Sequence, residues 1–185
     1  MTARLLGPAD YRVMPWANGR GSTTELLRQD DTNGAMLWRL SMARVTEDGP
    51  FSMFPNIERN LTVIEGPGFD LVGDQTQLRA DPLCPVGFSG DVAISAQNVT
   101  ADAIDFNLMV ARHLGQPEVI VLIAGQTYCL PTHKCAVFAL GRSEMLLDDT
   151  QSTMEKYELL LGEMIHSIHN AGPDPLLLVR LPDGG

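Results

Sequence analysis

The chain has 185 residues, a formal net charge of −10, and 44% hydrophobic against 19% charged residues. That length can bury a core without disulfide or metal help, and the composition is that of a folded body rather than a disordered tail or linker-joined array. With no Lys/Arg cluster to offset the acidic balance, nucleic acid and anionic membrane are excluded as expected partners, whereas one or two pocket arginines still allow a small anion.

The opening Met1-Thr-Ala-Arg-Leu-Leu-Gly-Pro loses its apolar character too early for a secretory core, and no later run approaches the roughly 18 residues that span a bilayer. A cytoplasmic protein is expected. Cys84, Cys129 and Cys135 are odd in number and lack C-x-x-C spacing, which suits free thiols better than a disulfide framework.

Pro15 to Glu25 is the first distinctive stretch. Gly19 and Gly21 permit positive φ or close approach, and Asn18, Arg20, Ser22, Thr23, Thr24 and Glu25 supply hydrogen-bonding groups beside the Trp16 ring. It reads as a shaped loop able to rim a small polar ligand, or as a surface turn entering a strand. Met36 to Arg44 follows as a strand, with Met36, Trp38, Leu40 and Met42 on one face and Leu37, Arg39, Ser41 and Ala43 on the other. Leu61 to Glu65, Gly66-Pro67-Gly68 and Phe69 to Val72 read as strand, turn and returning strand; Cys84 to Phe88 and Val92 to Ala96 flank Ser89-Gly90-Asp91 in the same way. Ala103 to Val110 places Ile104, Phe106, Leu108 and Val110 opposite Asp105, Asn107 and Met109. Further strands are expected over Val119 to Ala124, Thr127 to Leu130, Ala136 to Leu140, Tyr157 to Leu161, Met164 to Ile168 and Leu176 to Leu181. The pattern is all-β, a sandwich or double barrel with a break near His113 to Pro117, its halves sharing strands or a core.

Chemistry is sparse along this scaffold. Four histidines form no ligand pattern: His166 and His169 fall on opposite faces of an expected strand, His133 sits in a turn and His113 ends a strand, so no metal or other cofactor is expected. No serine occupies a G-x-S-x-G elbow, and Gly19-Arg20-Gly21 lacks the Lys-Ser/Thr pair of a phosphate loop. A binding constellation remains. Arg39 and Asn107 lie on the polar faces of the two clearest strands, and Phe54-Pro55-Asn56-Ile57-Glu58-Arg59 adds an arginine beside an acid. Those faces either point to water or line a barrel interior, where an arginine could clamp a carboxylate.

Several of these segments together resemble one family. Pro15-Trp16-x-Asn18-Gly19-x-Gly21, Trp38-Arg39-x-Ser41, Asp48-Gly49-Pro50-Phe51-Ser52-x-Phe54-Pro55-x-Ile57-x-Arg59, Glu65-Gly66 and Asp105-Phe106-Asn107-x-Met109 are similar in order and spacing to the HutD/Ves family, over roughly residues 4 to 112. The resemblance implies a cupin-type (RmlC-like) double-stranded β-helix in a bicupin arrangement, with approximate halves 1–113 and 117–182 of one compact unit. It also implies an association with bacterial histidine utilisation and binding of a small carboxylate such as urocanate or N-formylglutamate, without catalysis. The pocket implied by the motifs is Asn18, Arg39, Arg59 and Asn107 walled by Trp16 and Phe54, with Arg20 and Ser41 as further ligand-binding candidates. The chain departs from the family at Ala17 (usually Lys), Arg20 (usually Gly) and Thr24 (often Arg), and it lacks the paired histidines and later glutamate of metal-binding cupins.

Two other readings stay open. One is a metal-independent enzyme using Glu58, Glu25 or His113 as general acid or base; the other is a β scaffold that recruits a protein partner. A homodimer is compatible with the sequence.

Overall fold

The computed structural model describes residues 2–16, 21–130 and 134–182. Its first strands are β1 (Thr2–Leu6), β2 (Arg12–Pro15), β3 (Ser22–Asp30), β4 (Met36–Val45), β5 (Gly49–Pro50) and β6 (Ile57–Glu65). Next come β7 (Phe69–Gly73), β8 (Thr76–Ala80), β9 (Val86–Ser89), β10 (Ser95–Gln97), β11 (Ala103–Ala111) and β12 (Val119–Leu122). The last are β13 (Thr127–Cys129), β14 (Cys135–Ala139), β15 (Ser143–Leu147), β16 (Thr150–Met154), β17 (Leu159–Glu163), β18 (Ser167–Asn170) and β19 (Leu176–Arg180). Among the described residues the only helical pieces are the single 3-10 turns Pro8–Asp10 and Arg112–Leu114. The all-β expectation therefore holds, and no helix is long and apolar enough to cross a membrane.

Two compact units emerge, one of residues 12–118 and one of residues 2–11 with 119–182. In the first, a six-stranded sheet ordered β2-β3-β4-β11-β6-β9 faces a four-stranded sheet ordered β5-β10-β7-β8. Leu61, Val63, Phe69, Leu71, Ile94 and Ala96 fill part of the space between them. In the second, sheets ordered β1-β17-β14-β19-β12 and β13-β18-β15-β16 enclose a core including Val137, Met145, Met154, Leu160, Ile165 and Leu178. All pairings between named strands are antiparallel.

β4 and β11 match their expected spans and pair with each other through eight residues, from Ala103 opposite Val45 to Val110 opposite Trp38. Neither strand turns a face to water along its middle: Trp38, Leu40, Phe106 and Leu108 are buried on one side, and Arg39, Ser41, Asp105 and Asn107 on the other. A strand buried on both faces normally carries an apolar run. Four polar side chains on its inward face must therefore answer one another or a ligand.

Both expected hairpins are corrected. Gly66-Pro67-Gly68 makes the turn, but β7 pairs with β8 and β10 in the opposite sheet and not with β6. Gly66 and Gly68 have φ of 90° and 80°, and a Cβ on either would run into the backbone of Asp102 and Ala103 or of Ala80. The turn is thus a tight crossover between sheets, which only glycine accommodates. Likewise β9 joins β6, whereas the strand after Ser89-Gly90-Asp91 starts late, at Ser95, and joins β5 and β7. Hydrogen bonds from Val92 N to Ser89 O and Asp91 N to Ser89 Oγ keep the chain turning past Val92.

Smaller shifts have local causes. Left-handed φ at Tyr157 (68°) and Met164 (58°) breaks the strands expected to run through them, so β17 begins at Leu159 and β18 at Ser167. His166 consequently lies in the connection before β18 and not on a strand; His169 is in β18, its Nδ1 2.9 Å from Thr127 Oγ1. His113 sits exposed in the 3-10 turn after β11, and His133 lies outside the described residues. The expected loop from Pro15 to Glu25 is shorter than expected, because Ser22 to Glu25 already belong to β3.

Candidate functional site

The inward faces of β3, β4, β6 and β11 build one cavity inside the unit of residues 12–118. The β4–β11 register sets Asn107 opposite Ser41 and Met109 opposite Arg39, while β6 sets Arg59 opposite Met109. β3 brings Thr23 opposite Ala43 and Glu25 opposite Ser41, with a bulge after Glu25 that shifts the register of the rest of the strand. The cavity measures about 440 Å³, within the usual span of small-molecule sites. Its floor is Arg39, Ser41, Arg59, Asn107 and Met109, all buried, and its rim includes the exposed Thr46, Glu47 and Asp48.

Arg59 is the chemical centre. Its guanidinium carbon lies 5.3 Å from the Phe51 ring centroid, 5.6 Å from Phe54 and 4.8 Å from Phe88, so three aromatic rings surround a cation that is 4% exposed. Phe88 arrives by cross-strand register with Arg59, and Phe51 and Phe54 by the segment after β5. Arg59 Nη2 donates to Asn107 Oδ1 at 2.9 Å and Nη1 reaches the Ser52 carbonyl at 3.4 Å, whereas Nε meets no hydrogen-bond acceptor among the described residues. Burial pushes its pKa down to about 10, Asp105 pulling it up and Arg39 pressing it further down.

Asn107 in turn donates from Nδ2 to Asp105 Oδ1 at 2.5 Å. Asp105 is fully buried, and that burial pushes its carboxyl up to about 7 against the lowering pull of Arg59 and of the Asn107 hydrogen bond. Its Oδ2 has no hydrogen-bond partner among the described residues. Arg39 lies with Nε 3.2 Å from Glu25 Oε2, close enough for an ion pair but not aligned as a hydrogen bond. Burial lowers the Arg39 pKa, Glu25 opposes this, and Arg28 adds to it.

Trp16 also lines the cavity. Its Nε1 donates to Thr23 Oγ1 at 2.9 Å, and its backbone N–H donates to Gly21 O, closing the β2–β3 connection. A Cβ on Gly21 would come within 2.8 Å of the Trp16 ring, so Gly21 lets the indole lie flat against the backbone.

Of the expected ligand-binding residues, Trp16, Arg39, Ser41, Phe54, Arg59 and Asn107 line this one cavity. Asn18 and Arg20, with the departure at Ala17, lie outside the described residues. The other acid/base candidates are placed elsewhere: Glu58 pairs with Arg112 at 2.6 Å on the surface, and His113 borders a shallow second depression. Sequence reasoning missed Asp105, which read as one more polar residue on an alternating strand, and the aromatic partners Phe51 and Phe88. Among the described residues no three His, Cys, Asp or Glu side chains cluster as metal ligands.

A family model described as HutD matches residues 8–172. A Pseudomonas putida protein described by its place in the hutC 3′ region is 40% identical over 113 residues, covering 58% of this chain and 58% of that protein. Protein Ves of Escherichia fergusonii is 35% identical over 105 residues, covering 54% of this chain and 55% of that protein. The matched stretch thus spans a little over half the length of these curated relatives. The solved structure of HutD from Pseudomonas fluorescens SBW25 superposes with a TM-score of 0.84 at 28% identity, covering 99% of this chain and 100% of that one. A cupin 2 conserved barrel domain protein from Leptotrichia buccalis, 11% identical with a TM-score of 0.55 over 86% of this chain and 88% of that one, supports a cupin-like all-β fold and nothing more.

Proposed function

The chain belongs to the HutD family, and from that premise we propose that its cavity binds a small carboxylate metabolite without converting it and so modulates histidine utilisation. Urocanate and N-formylglutamate are the candidate ligands. The observation that carries this reading is Arg59: a buried guanidinium, walled by three rings, with an unpartnered Nε at the floor of a ligand-sized cavity. A carboxylate is the planar acceptor that a guanidinium fork fits, and the aromatic walls suit a conjugated or otherwise flat body. Asn107 and Ser41 supply amide and hydroxyl groups for a second polar end. In the same reading the two units are the halves of a bicupin, of which only the one spanning residues 12–118 carries the site.

Calorimetric titration with urocanate and N-formylglutamate tests the proposal. Binding that weakens in Arg39→Ala and disappears in Arg59→Met is the expected result; no heat at millimolar concentrations with either acid refutes it. The enzymatic alternative keeps one point in its favour, Glu25 beside Arg39 at the cavity edge. Incubating each acid with purified protein and following it by NMR separates the two, since a binder returns the acid unchanged.

A further inference from the structure

Below Arg59 lies a carboxyl group for which ligand contact offers no role, since Asp105 is wholly buried and does not line the cavity. It connects to the cavity through one relay. Asp105 Oδ1 accepts from Asn107 Nδ2, and Asn107 Oδ1 accepts from Arg59 Nη2. The acid therefore fixes which way the amide points, and the amide fixes one edge of the guanidinium.

The elements packed against Asp105 present few charges. Across the sheet its neighbours are Ala43 on β4 and Val63 on β6, and the facing core contributes apolar groups such as Phe69, Leu71 and Ala96. Among the described residues the one charge acting on Asp105 is Arg59 of β6. Arg39 of β4 acts on Arg59 and is itself answered by Glu25 of β3.

Resting on the carboxylate-binding reading, we propose that Asp105 is a positioning residue that couples anion binding at Arg59 to the uptake of one proton. In the empty site at alkaline pH, ionised Asp105 is the counter-charge of Arg59. When a ligand carboxylate settles on the guanidinium, two anions would share one buried cation, and the one without access to water takes a proton. The balance is one ligand anion plus one solvent proton, giving neutral Asp105 beneath an Arg59–carboxylate pair. Oδ2, the oxygen without a partner, can take that proton while Oδ1 keeps its bond from Asn107, so the relay survives protonation. Below neutrality the carboxyl is already protonated, and binding proceeds without uptake.

The test is calorimetry with N-formyl-L-glutamate and with formate, neither of which titrates near neutrality. Each is run at about pH 6 and about pH 8 in two buffers of different ionisation enthalpy. Proton uptake approaching one per site at the higher pH, little at the lower, and an affinity that weakens by up to about tenfold per pH unit on the alkaline side is expected. Asp105→Asn should show no uptake and an affinity that no longer varies with pH. Should that variant fail to fold, infrared difference spectra of the wild-type protein decide, because ligand addition at the higher pH must raise a protonated-carboxyl band. Binding without uptake in the wild type, or uptake that persists in Asp105→Asn, overturns the coupling alone. No binding of either acid at any pH overturns the carboxylate reading together with it.

Discussion

Replacing Arg59 by methionine should abolish ligand binding while leaving the fold nearly as stable as before. Burial takes this guanidinium from its ordinary 12.5 to about 10, and at about 1.4 kcal/mol per pK unit, keeping it charged in the folded state costs about 3 kcal/mol. Methionine removes that cost. What is lost is three cation–ring contacts, each worth about 0.5–1 kcal/mol at such sites, and the donor to Asn107 Oδ1, whose orphaning costs about 1–2 kcal/mol. Breaking a buried ion pair is usually severe because a charge is stranded. Here Asp105, deprived of the one cation that lowers its pKa, simply remains protonated. The terms nearly cancel, and a flexible thioether still packs against Phe51, Phe54 and Phe88. Urea denaturation should therefore show a loss of no more than about 2 kcal/mol, or about 4–8 °C in Tm for a chain of this size. Calorimetry with urocanate or N-formylglutamate should show affinity falling by about 30-fold or more, the consequence of removing a buried charge partner. A stability loss of about 4 kcal/mol or more, or unchanged binding, would refute the view that this cation is kept for a ligand at the expense of the fold.

Three further outcomes follow from the same geometry. Asp105 has a raised folded pKa, so between about pH 4 and about pH 7 the unfolded chain releases a proton that the folded chain retains; stability falls as pH rises through that window, by on the order of a few kcal/mol, and levels off above it. Denaturant titrations at several pH values should show this slope in the wild type, and Asp105→Asn should lack it and be the more stable protein at pH 8. Glu25→Gln removes the counter-charge of Arg39 and should cost about 1–3 kcal/mol in thermal or urea unfolding, yet strengthen carboxylate binding several-fold by leaving the floor more cationic. Gly68→Ala forces a side chain into a left-handed position where its Cβ meets the Ala80 carbonyl, and should destabilise by at least about 2 kcal/mol with no change in ligand preference in whatever fraction folds.

The parts of this molecule legible in its sequence are those fixed by neighbours along the chain. β4 and β11 announce themselves by alternation, and their inward polar sets, Arg39 with Ser41 and Asp105 with Asn107, can be read residue by residue. Alternation does not say whether a polar face looks at water or into a barrel, because curvature is a property of the whole sheet. The hairpin readings failed for a related reason: Gly66-Pro67-Gly68 specifies a turn, whereas the sheet that β7 joins is decided by β8 and β10, which lie further along the chain. β3 and β8 escaped notice because their polar residues outweigh their few buried ones, as on strands near the border of a sheet. Phe88 escaped as a site residue because its place beside Arg59 is set by the pairing of β6 with β9. No local window contains that information.

The charge of the chain also needs weighing against the charge of the site. At −10 the whole molecule would repel an anion at long range, but at physiological ionic strength the influence of exposed charges fades beyond about 8 Å. Inside the cavity the balance is different. Arg39 and Glu25 neutralise each other, and Asp105, when protonated, contributes nothing, so Arg59 is left as one uncompensated buried cation. Its attraction acts through a medium of lower dielectric than water and is correspondingly stronger over a few ångströms. The acidic exterior then acts on the approach of the ligand more than on its residence. Raising the salt concentration should speed association of an anionic ligand and leave its dissociation rate nearly unchanged, a separation that stopped-flow measurements can resolve.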